Sequence, residues 1–255
     1  MNELITGLLQ ESISGIALGC IYALIALGFT LIYKASEVVN FAQGEVMMVG
    51  AYVNFFFVSY FSSMVGEVNG WVFLLAFLGS IIFAVIFGIT LDFIINRPLK
   101  DEPVFSIIMA TISLAIILRA LTALIAGPIS LVPQSPFGGS VMEVGGVVVS
   151  YLDLSIIFSA VVLMGLFFVF FNKTRWGIAM KATSEDSEAA QLMGIPVKKV
   201  YMIVWVFAAI VGVVSGILLA PRMSLLDTSM GFLGLKAFPA AILGGFGSIP
   251  GAVVG

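Results

Sequence analysis

NKTRWGIAMKATSEDSEAAQLMGIPVKK, residues 172–199, is the one long polar stretch in a chain that is otherwise almost entirely apolar. This stretch, the polar island, holds five of the eleven Lys and Arg residues. Lipid offers no partners to charged side chains or open backbone groups, so a membrane protein keeps such a cluster outside the bilayer. The island therefore predicts a membrane protein in which an extramembrane loop joins two spans.

The composition of the whole chain supports the same class. Of its 255 residues, 61% are hydrophobic and 10% are charged, whereas globular proteins carry roughly 25% charged residues. The chain has no His and a single cysteine, Cys20, which excludes internal disulfides, Ser-His-Asp triads, HExxH motifs and Cys/His zinc sites. We therefore expect no catalytic residue, no cofactor, no metal site and no bound nucleic acid.

Six apolar runs are long enough to cross a bilayer as helices. They cover residues 13–33, 46–65, 71–95, 104–126, 151–171 and 200–220. Residues 1–12 are predicted to be a tail that precedes a retained span. The expected fold is an all-α integral membrane protein, a single polytopic helical bundle over residues 1–255, with about six complete spans plus broken or re-entrant segments.

Basic residues collect on one side of this predicted bundle: Lys34, Arg97, Lys100 and the five in the polar island. The loops at residues 66–70 and 127–150 contain neither Lys nor Arg. Since basic loops stay in the cytoplasm, the island is predicted to be cytoplasmic and the N-terminus to lie outside. Arg222 is the one basic residue that contradicts this assignment.

A short helix with marked ends is predicted inside the island. Thr183 and Ser184 are candidate N-caps, and Thr183 with Asp186 has the spacing of a capping box. Gly194 suits the left-handed position that ends a helix, and Pro196 prevents continuation.

The same helix has a small apolar face. Ala189, Leu192 and Met193 are three and four residues apart, so they share one side of the helix. A capped helix with such a face, held between two spans, is typical of an element that docks into another protein. The alternative is an ordinary amphipathic helix that lies on the membrane surface.

Two apolar stretches, residues 34–45 and 231–255, are interrupted by flexible and polar residues. Broken helices at membrane depth occur where protein or an aqueous cavity covers the exposed backbone. Their polar groups are therefore candidates for lining a translocation pathway: Asn40, Gln43, Glu45, Lys236 and Ser248. The alternative is a pair of tight turns that serve packing.

Arg119 is a further pathway candidate, since it lies in the outer half of the fourth span. A charge at that depth usually faces a cavity or a partner; the alternative is an inter-helix ion pair or a side chain that reaches toward the interface. Asp92, at the inner end of the third span, is expected to meet Arg97 or lipid headgroups. Gly15 and Gly19 have the spacing that permits close helix contact.

Three separated motifs resemble one family. They are YALIALGFTLIYKAS and VVNFAQGEVMMVGAY at residues 22–36 and 38–52, GLKAFPAAILGGFGSIPGA at 234–252, and EAA followed by Gly194 at 188–194. The two stretches within residues 22–52 resemble the N-terminal signature of branched-chain amino acid ABC transporter permeases of the LivH type, and residues 234–252 resemble the C-terminal signature of that family. The third is similar to the EAA-xxx-G coupling motif of ABC importer permeases.

The resemblance implies a multi-pass subunit of the bacterial inner membrane that is not an enzyme. It would move Leu, Ile or Val into the cytoplasm together with a second, LivM-like permease, two ABC ATPase subunits and an extracytoplasmic binding protein. Residues 172–199 would form the cytoplasmic coupling loop. The residues implied in coupling to the ATPase are Glu188, Ala189, Ala190, Leu192, Met193 and Gly194.

The sequence departs from the family pattern at two places. The downstream Ile-x-Leu-Pro of the coupling motif is absent, and Pro196 comes early instead. Family members also carry a further apolar span after the segment that ends at Ala252, so we expect the last span to be truncated here. The alternatives are a permease for urea, short amides or another amino acid, and a stand-alone secondary transporter.

Overall fold

A computed structural model describes residues 2–99, 102–127, 129–136, 139–144 and 146–255; Lys100 lies outside them. The helices of the described part are α1 (Asn2–Ser36), α2 (Gln43–Val65), α3 (Gly70–Leu91), α4 (Arg97–Leu99), α5 (Val104–Ala126), α6 (Tyr151–Lys173), α7 (Arg175–Glu185), α8 (Ser187–Leu192), α9 (Val197–Met223), α10 (Met230–Lys236), α11 (Phe238–Gly244) and α12 (Ile249–Val254). A π-helical turn, Asp92–Asn96, joins α3 to α4. An antiparallel hairpin, β1 (Val141–Val144) with β2 (Val147–Ser150), precedes α6.

Six helical stretches of the described chain are long and apolar enough to cross a membrane. They are Ile5–Ser36, Gln43–Val65, Gly70–Leu99, Val104–Ala126, Tyr151–Lys173 and Val197–Met223. The prediction of a polytopic all-α membrane protein with about six complete spans is therefore confirmed. The hairpin lies in residues 127–150, which were predicted to be a loop; its Val-Val-Val run suits a strand because β-branched side chains pack well on a pleated surface.

Two predicted boundaries differ from the structure at the start of the chain. Residues 2–12 belong to α1, so the predicted tail is helical over that range. At about 1.5 Å per residue, the 35 residues of α1 extend about 52 Å, well beyond a hydrocarbon core of about 30 Å. The second span begins at Gln43 rather than at residue 46, because the polar segment turns directly into helix.

Helix α9 is the centre of the bundle, with α1, α2 and α3 packed around it. Small residues allow the α2 and α9 backbones to touch, as is typical of helix packing in membranes. A Cβ at Gly216 would overlap the carbonyl oxygen of Met47, and one at Gly50 would overlap Val213. Helix α5, by contrast, is largely exposed in this single chain.

The glycine pair at Gly15 and Gly19 does not make the close contact that its spacing permits. No described atom outside the local helix lies within 4 Å of a Cβ built at either position. Glycines elsewhere in the described chain make such contacts, including Gly88 of α3, where a Cβ would lie 2.6 Å from the Cα of Val206 in α9.

Helix α2 begins deep inside the bundle. The Gln43 amide donates to the carbonyl oxygen of Ala208 at 3.0 Å, and Ala208 lies about 16 Å from the start of α9 at about 1.5 Å per residue. The turn at residues 37–42 is thus a re-entrant break at membrane depth. The last stretch of the chain is also broken, into α10, α11 and α12, so the predicted interrupted segments are confirmed.

Candidate functional site

The two interrupted segments lie against each other, which the sequence did not indicate. Gly44 at the start of α2 meets α10 so closely that a Cβ there would overlap the Gly231 carbonyl oxygen and lie 3.3 Å from the Cα of Gly234. At the end of α1, the Lys34 ammonium donates to the carbonyl oxygen of Gly247 at 3.3 Å. The packing of glycine on glycine brings the first segment into direct backbone contact with the second.

Glu45 and Arg119 meet at this junction. The Nη2 of Arg119 donates to Oε1 of Glu45, and the two side chains form an ion pair. Glu45 is 3% exposed, while Arg119 is 29% exposed. Within the described residues, neither Oε2 of Glu45 nor Nε of Arg119 has a hydrogen-bond partner. The inter-helix ion pair that was the alternative for Arg119 is present, but it leaves polar atoms of both groups unsatisfied.

An aromatic ring completes the surroundings of Arg119. Its guanidinium carbon lies 3.7 Å from the centroid of the Phe232 ring, a cation–π contact from α10. Arg119 therefore contacts a carboxylate of α2 and an aromatic face of α10, and 29% of its side chain stays accessible.

A pocket of about 410 Å³ opens beside this arrangement. It lies where the C-terminal end of α5 meets the connection between α9 and α10, and we call it the outer pocket after the orientation that the basic residues predict. Its lining includes Tyr52, Arg119, Ala123, Ile129, Asp227 and Phe232. Its size falls within the range of about 300–1,000 Å³ typical of small-molecule pockets. Positive and negative side chains face the same space.

Asn40 and Gln43 lie deeper and are both buried. Oδ1 of Asn40 accepts from the backbone N–H of Ala42 at 3.0 Å, which closes the re-entrant turn. The Gln43 amide fits against α1 so tightly that a Cβ at Gly28 would overlap it. Asn40 also lines a small inner cavity of about 60 Å³ that includes Thr111. The structure thus places these residues inward of the ion pair.

Lys236 and Ser248 are not brought to the ion pair. Lys236 is exposed in the last turn of α10. Oγ of Ser248 accepts from the backbone N–H of Gly251 at 3.1 Å and so caps α12. Among the six predicted pathway residues, the described side-chain hydrogen bonds and ion pairs join only Glu45 with Arg119.

The polar island forms two helices rather than one. Thr174 caps α7 by accepting from Gly177 N–H at 3.0 Å, and the chain stays helical through Glu185. The predicted N-caps are therefore wrong: Thr183 lies buried inside α7. Asp186 caps α8 instead, since its Oδ1 accepts from the backbone N–H groups of Glu188 and Ala189, each at 2.9 Å.

The end of α8 follows the expected geometry. Gly194 has a φ of 84°, in the left-handed region, and the N–H of Ile195 donates to the Ala190 carbonyl oxygen at 3.0 Å. Leu192 and Met193 are 89% and 84% exposed. An apolar tip that the chain itself does not cover therefore stands at the end of this short helix.

Comparison with known proteins identifies the family. A model described as "Branched-chain amino acid transport system / permease component" matches residues 12–255. This chain belongs to that family. The permease is 33% identical to the high-affinity branched-chain amino acid transport system permease protein LivH of Escherichia coli K12, over 100% of the chain and 84% of the relative. It is 34% identical to the corresponding BraD protein of Pseudomonas aeruginosa, over 97% of the chain and 82% of the relative.

A more distant relative is a probable branched-chain amino acid transport permease protein LivH of Methanocaldococcus jannaschii, 28% identical over 91% of the chain and 72% of the relative. No solved structure gave a significant match. The resemblance seen in the three motifs is confirmed. With its six apolar helices, the permease is a multi-pass protein of the bacterial inner membrane and a component of a transport system.

Sequence reasoning missed a second ion pair in the permease. Arg222 pairs with Asp153 where the C-terminal end of α9 meets the N-terminal end of α6, and it donates to the Ser14 carbonyl and hydroxyl oxygens at 2.9 and 2.7 Å. These contacts account for the basic residue that contradicts the predicted orientation. The predicted contact of Asp92 with Arg97 is confirmed at 2.9 Å.

Asp227 and Phe232 were also missed. The signal available was a polar Asp-Thr-Ser run at residues 227–229, between an apolar span and a glycine-rich segment. That run becomes informative only when the fold places it in the lining of the same pocket as Arg119.

Proposed function

We propose that this permease is the membrane subunit of an ABC importer that carries Leu, Ile or Val into the cytoplasm, with ATP hydrolysed by separate subunits. The observation that carries the proposal is the identity of 33–34% over nearly the whole chain to LivH and BraD, whose names specify branched-chain amino acid transport. The permease itself performs no covalent chemistry in this scheme.

The translocation pathway passes the junction of α2, α5 and α10. Three observations support this route: the ion pair of Glu45 with Arg119, the outer pocket beside it, and the break in helix at the same depth. Because a charge exposed to lipid is strongly unfavourable, the open side of Arg119 must face water or protein. Asn40 would continue the route inward, and Gln43, Lys236 and Ser248 remain candidates.

The open face of α5 and α10 is where a second, LivM-like permease would pack. That partner would cover Arg119 and Phe232, so that the pathway runs between two permease chains, while membrane lipid surrounds the rest. An extracytoplasmic binding protein would deliver the amino acid at the outer pocket. The N-terminus lies outside in this arrangement.

The coupling loop, residues 172–199, would contact the two ABC ATPase subunits through α8. Its contact residues are Glu188, Ala189, Ala190, Leu192, Met193 and Gly194. The exposed Leu192 and Met193 supply an apolar tip, and the cap at Asp186 keeps the helix rigid. A rigid element docked in a groove transmits displacement that a flexible loop would absorb.

The test is purification of the permease from its native membrane, followed by leucine uptake in proteoliposomes that also contain the binding protein. We expect two ATPases and a second permease to co-purify, and uptake to require ATP. Leu192→Ser should release the ATPases, whereas Ile178→Ser, an exposed apolar position on α7, should retain them. Uptake that persists without ATP would instead indicate a secondary transporter, and uptake of urea in place of leucine would indicate the amide alternative.

A further inference from the structure

One acidic side chain, Asp227, lines the outer pocket. Asp227 is half-buried at the pocket wall, and its Oδ1 accepts from the backbone N–H of Ser229. Among the residues that the structure describes, Arg97, Arg119 and Arg222 form ion pairs with other acids. No described Lys or Arg forms an ion pair with Asp227. A carboxylate in such a position favours a bound cation.

Arg119 lines the same pocket and has spare donors. A guanidinium has five N–H donors, and the described contacts of Arg119 with Glu45 use Nη2 alone. Its Nε is buried, so a ligand in the pocket does not reach it, but 29% of the side chain is accessible. Arg119 therefore keeps donors that can form charge-assisted hydrogen bonds with a second carboxylate.

Part of the lining of the outer pocket is apolar. The ring of Phe232 and the side chains of Ile129 and Ala123 line the same pocket, and both Phe232 and Ile129 are exposed. A ligand that matches the acidic, basic and apolar parts of this lining has an ammonium group, a carboxylate and a short hydrocarbon side chain.

We propose that the outer pocket is a binding site for the zwitterion of an aliphatic α-amino acid. Asp227 accepts hydrogen bonds from the α-ammonium group, Arg119 donates to the α-carboxylate, and the hydrocarbon side chain packs on Phe232. This inference rests on the proposed function and deepens it, since it assigns recognition of the substrate backbone to this chain. Urea and short amides carry neither charge, so the pocket discriminates against them.

The experiment measures weak binding by saturation-transfer NMR on the intact transporter complex in nanodiscs, without binding protein. The probes are L-leucine, 4-methylpentanoate, which lacks the ammonium group, and 3-methylbutylamine, which lacks the carboxylate. We expect saturation of the leucine methyl signals to exceed that of either analogue at least about fivefold. Asp227→Asn should reduce the leucine signal to that of 4-methylpentanoate, and the control Glu67→Gln, an exposed acid in the turn after α2, should leave it unchanged.

Three results would overturn the assignment: equal saturation of leucine and 4-methylpentanoate, equal saturation of leucine and 3-methylbutylamine, or an Asp227→Asn complex that binds leucine normally. If Asp227→Asn does not assemble, Ile129→Trp fills the pocket from its rim and should abolish the leucine signal. Leucine uptake by the wild-type complex with binding protein is measured in parallel. Uptake without dependence on Asp227 refutes this site alone, whereas absence of leucine uptake refutes the proposed function.

Discussion

At the scale of single residues, the ion pair of Glu45 with Arg119 is the least replaceable feature of the site. Glu45 has left water almost completely, whereas Arg119 is 29% exposed, and their mutual attraction offsets part of the desolvation. Removing Arg119 would leave Glu45 buried and uncompensated, which typically destabilises a protein by about 3–5 kcal/mol; removing Glu45 costs less, because the exposed part of Arg119 keeps contact with water. A double variant that removes both partners avoids that penalty. Comparing it with a single variant therefore separates the effect of the ion pair on stability from its effect on transport.

We expect Glu45→Gln to lower the thermal stability of the complex and to abolish leucine uptake. The double variant Glu45→Gln with Arg119→Met should recover most of the stability, because no unpaired charge remains, yet it should stay inactive. Thermal unfolding, co-purification and uptake are measured on each variant. Recovery of uptake in the double variant would assign the pair to packing rather than to the pathway.

A second residue-scale prediction concerns the contact of α2 with α10. Gly44→Ala places a methyl group on the Gly231 carbonyl oxygen, and backbone on both sides cannot move aside cheaply. Overpacking of this kind costs about 1–3 kcal/mol, so the melting temperature and the uptake rate should both fall. Gly15→Ala is the matched control, since no described atom outside the local helix lies within 4 Å of its new Cβ; equal behaviour of the two variants would contradict the close packing.

At the scale of elements, α8 depends on how its two ends are held. Asp186 fixes the beginning, and Gly194 ends the helix with a φ of 84°. Apart from its two chain neighbours, no described atom lies within 4 Å of a Cβ at Gly194, so the requirement for glycine there is conformational rather than steric. A left-handed conformation costs other residues roughly 1–2 kcal/mol, and Asn tolerates it better than β-branched residues do.

Gly194→Val should therefore uncouple ATP hydrolysis from transport, with Gly194→Asn as the conservative control that retains coupling. The quantity to measure is leucine transported per ATP hydrolysed in proteoliposomes, together with retention of the ATPases. A normal ratio in the valine variant would remove the docking role of α8.

At the scale of the whole molecule, the distribution of Lys and Arg predicts that the polar island lies at the cytoplasmic face and the outer pocket at the opposite face. We expect an impermeant maleimide to label Glu67→Cys and Glu143→Cys in intact cells and to label Leu192→Cys only after lysis. The single native cysteine is half-buried and is replaced by Cys20→Ala, which simplifies the background. Labelling of Leu192→Cys in intact cells would reverse the proposed orientation.

Local features were predicted unevenly along the sequence. Apolar length identified the six spans, because a backbone in lipid must satisfy its own hydrogen bonds within a helix. The left-handed end at Gly194 was also predicted, because only glycine adopts it freely. The N-cap was misplaced at Thr183 because a cap depends on where the preceding helix stops, and α7 continues to Glu185.

The sequence by itself determined that this is a membrane protein, how many spans it has, that the polar island lies outside the bilayer, and which family the chain belongs to. The first three follow from the free energy of moving residues from water into lipid. The family follows from motifs that are contiguous along the chain. Only the tertiary structure decided that Glu45 meets Arg119, which is 74 positions away, and that Asp227 faces the same pocket. Those contacts depend on glycines that let α2 approach α9 and α10, and spacing along the chain carries no information about which distant helices will touch.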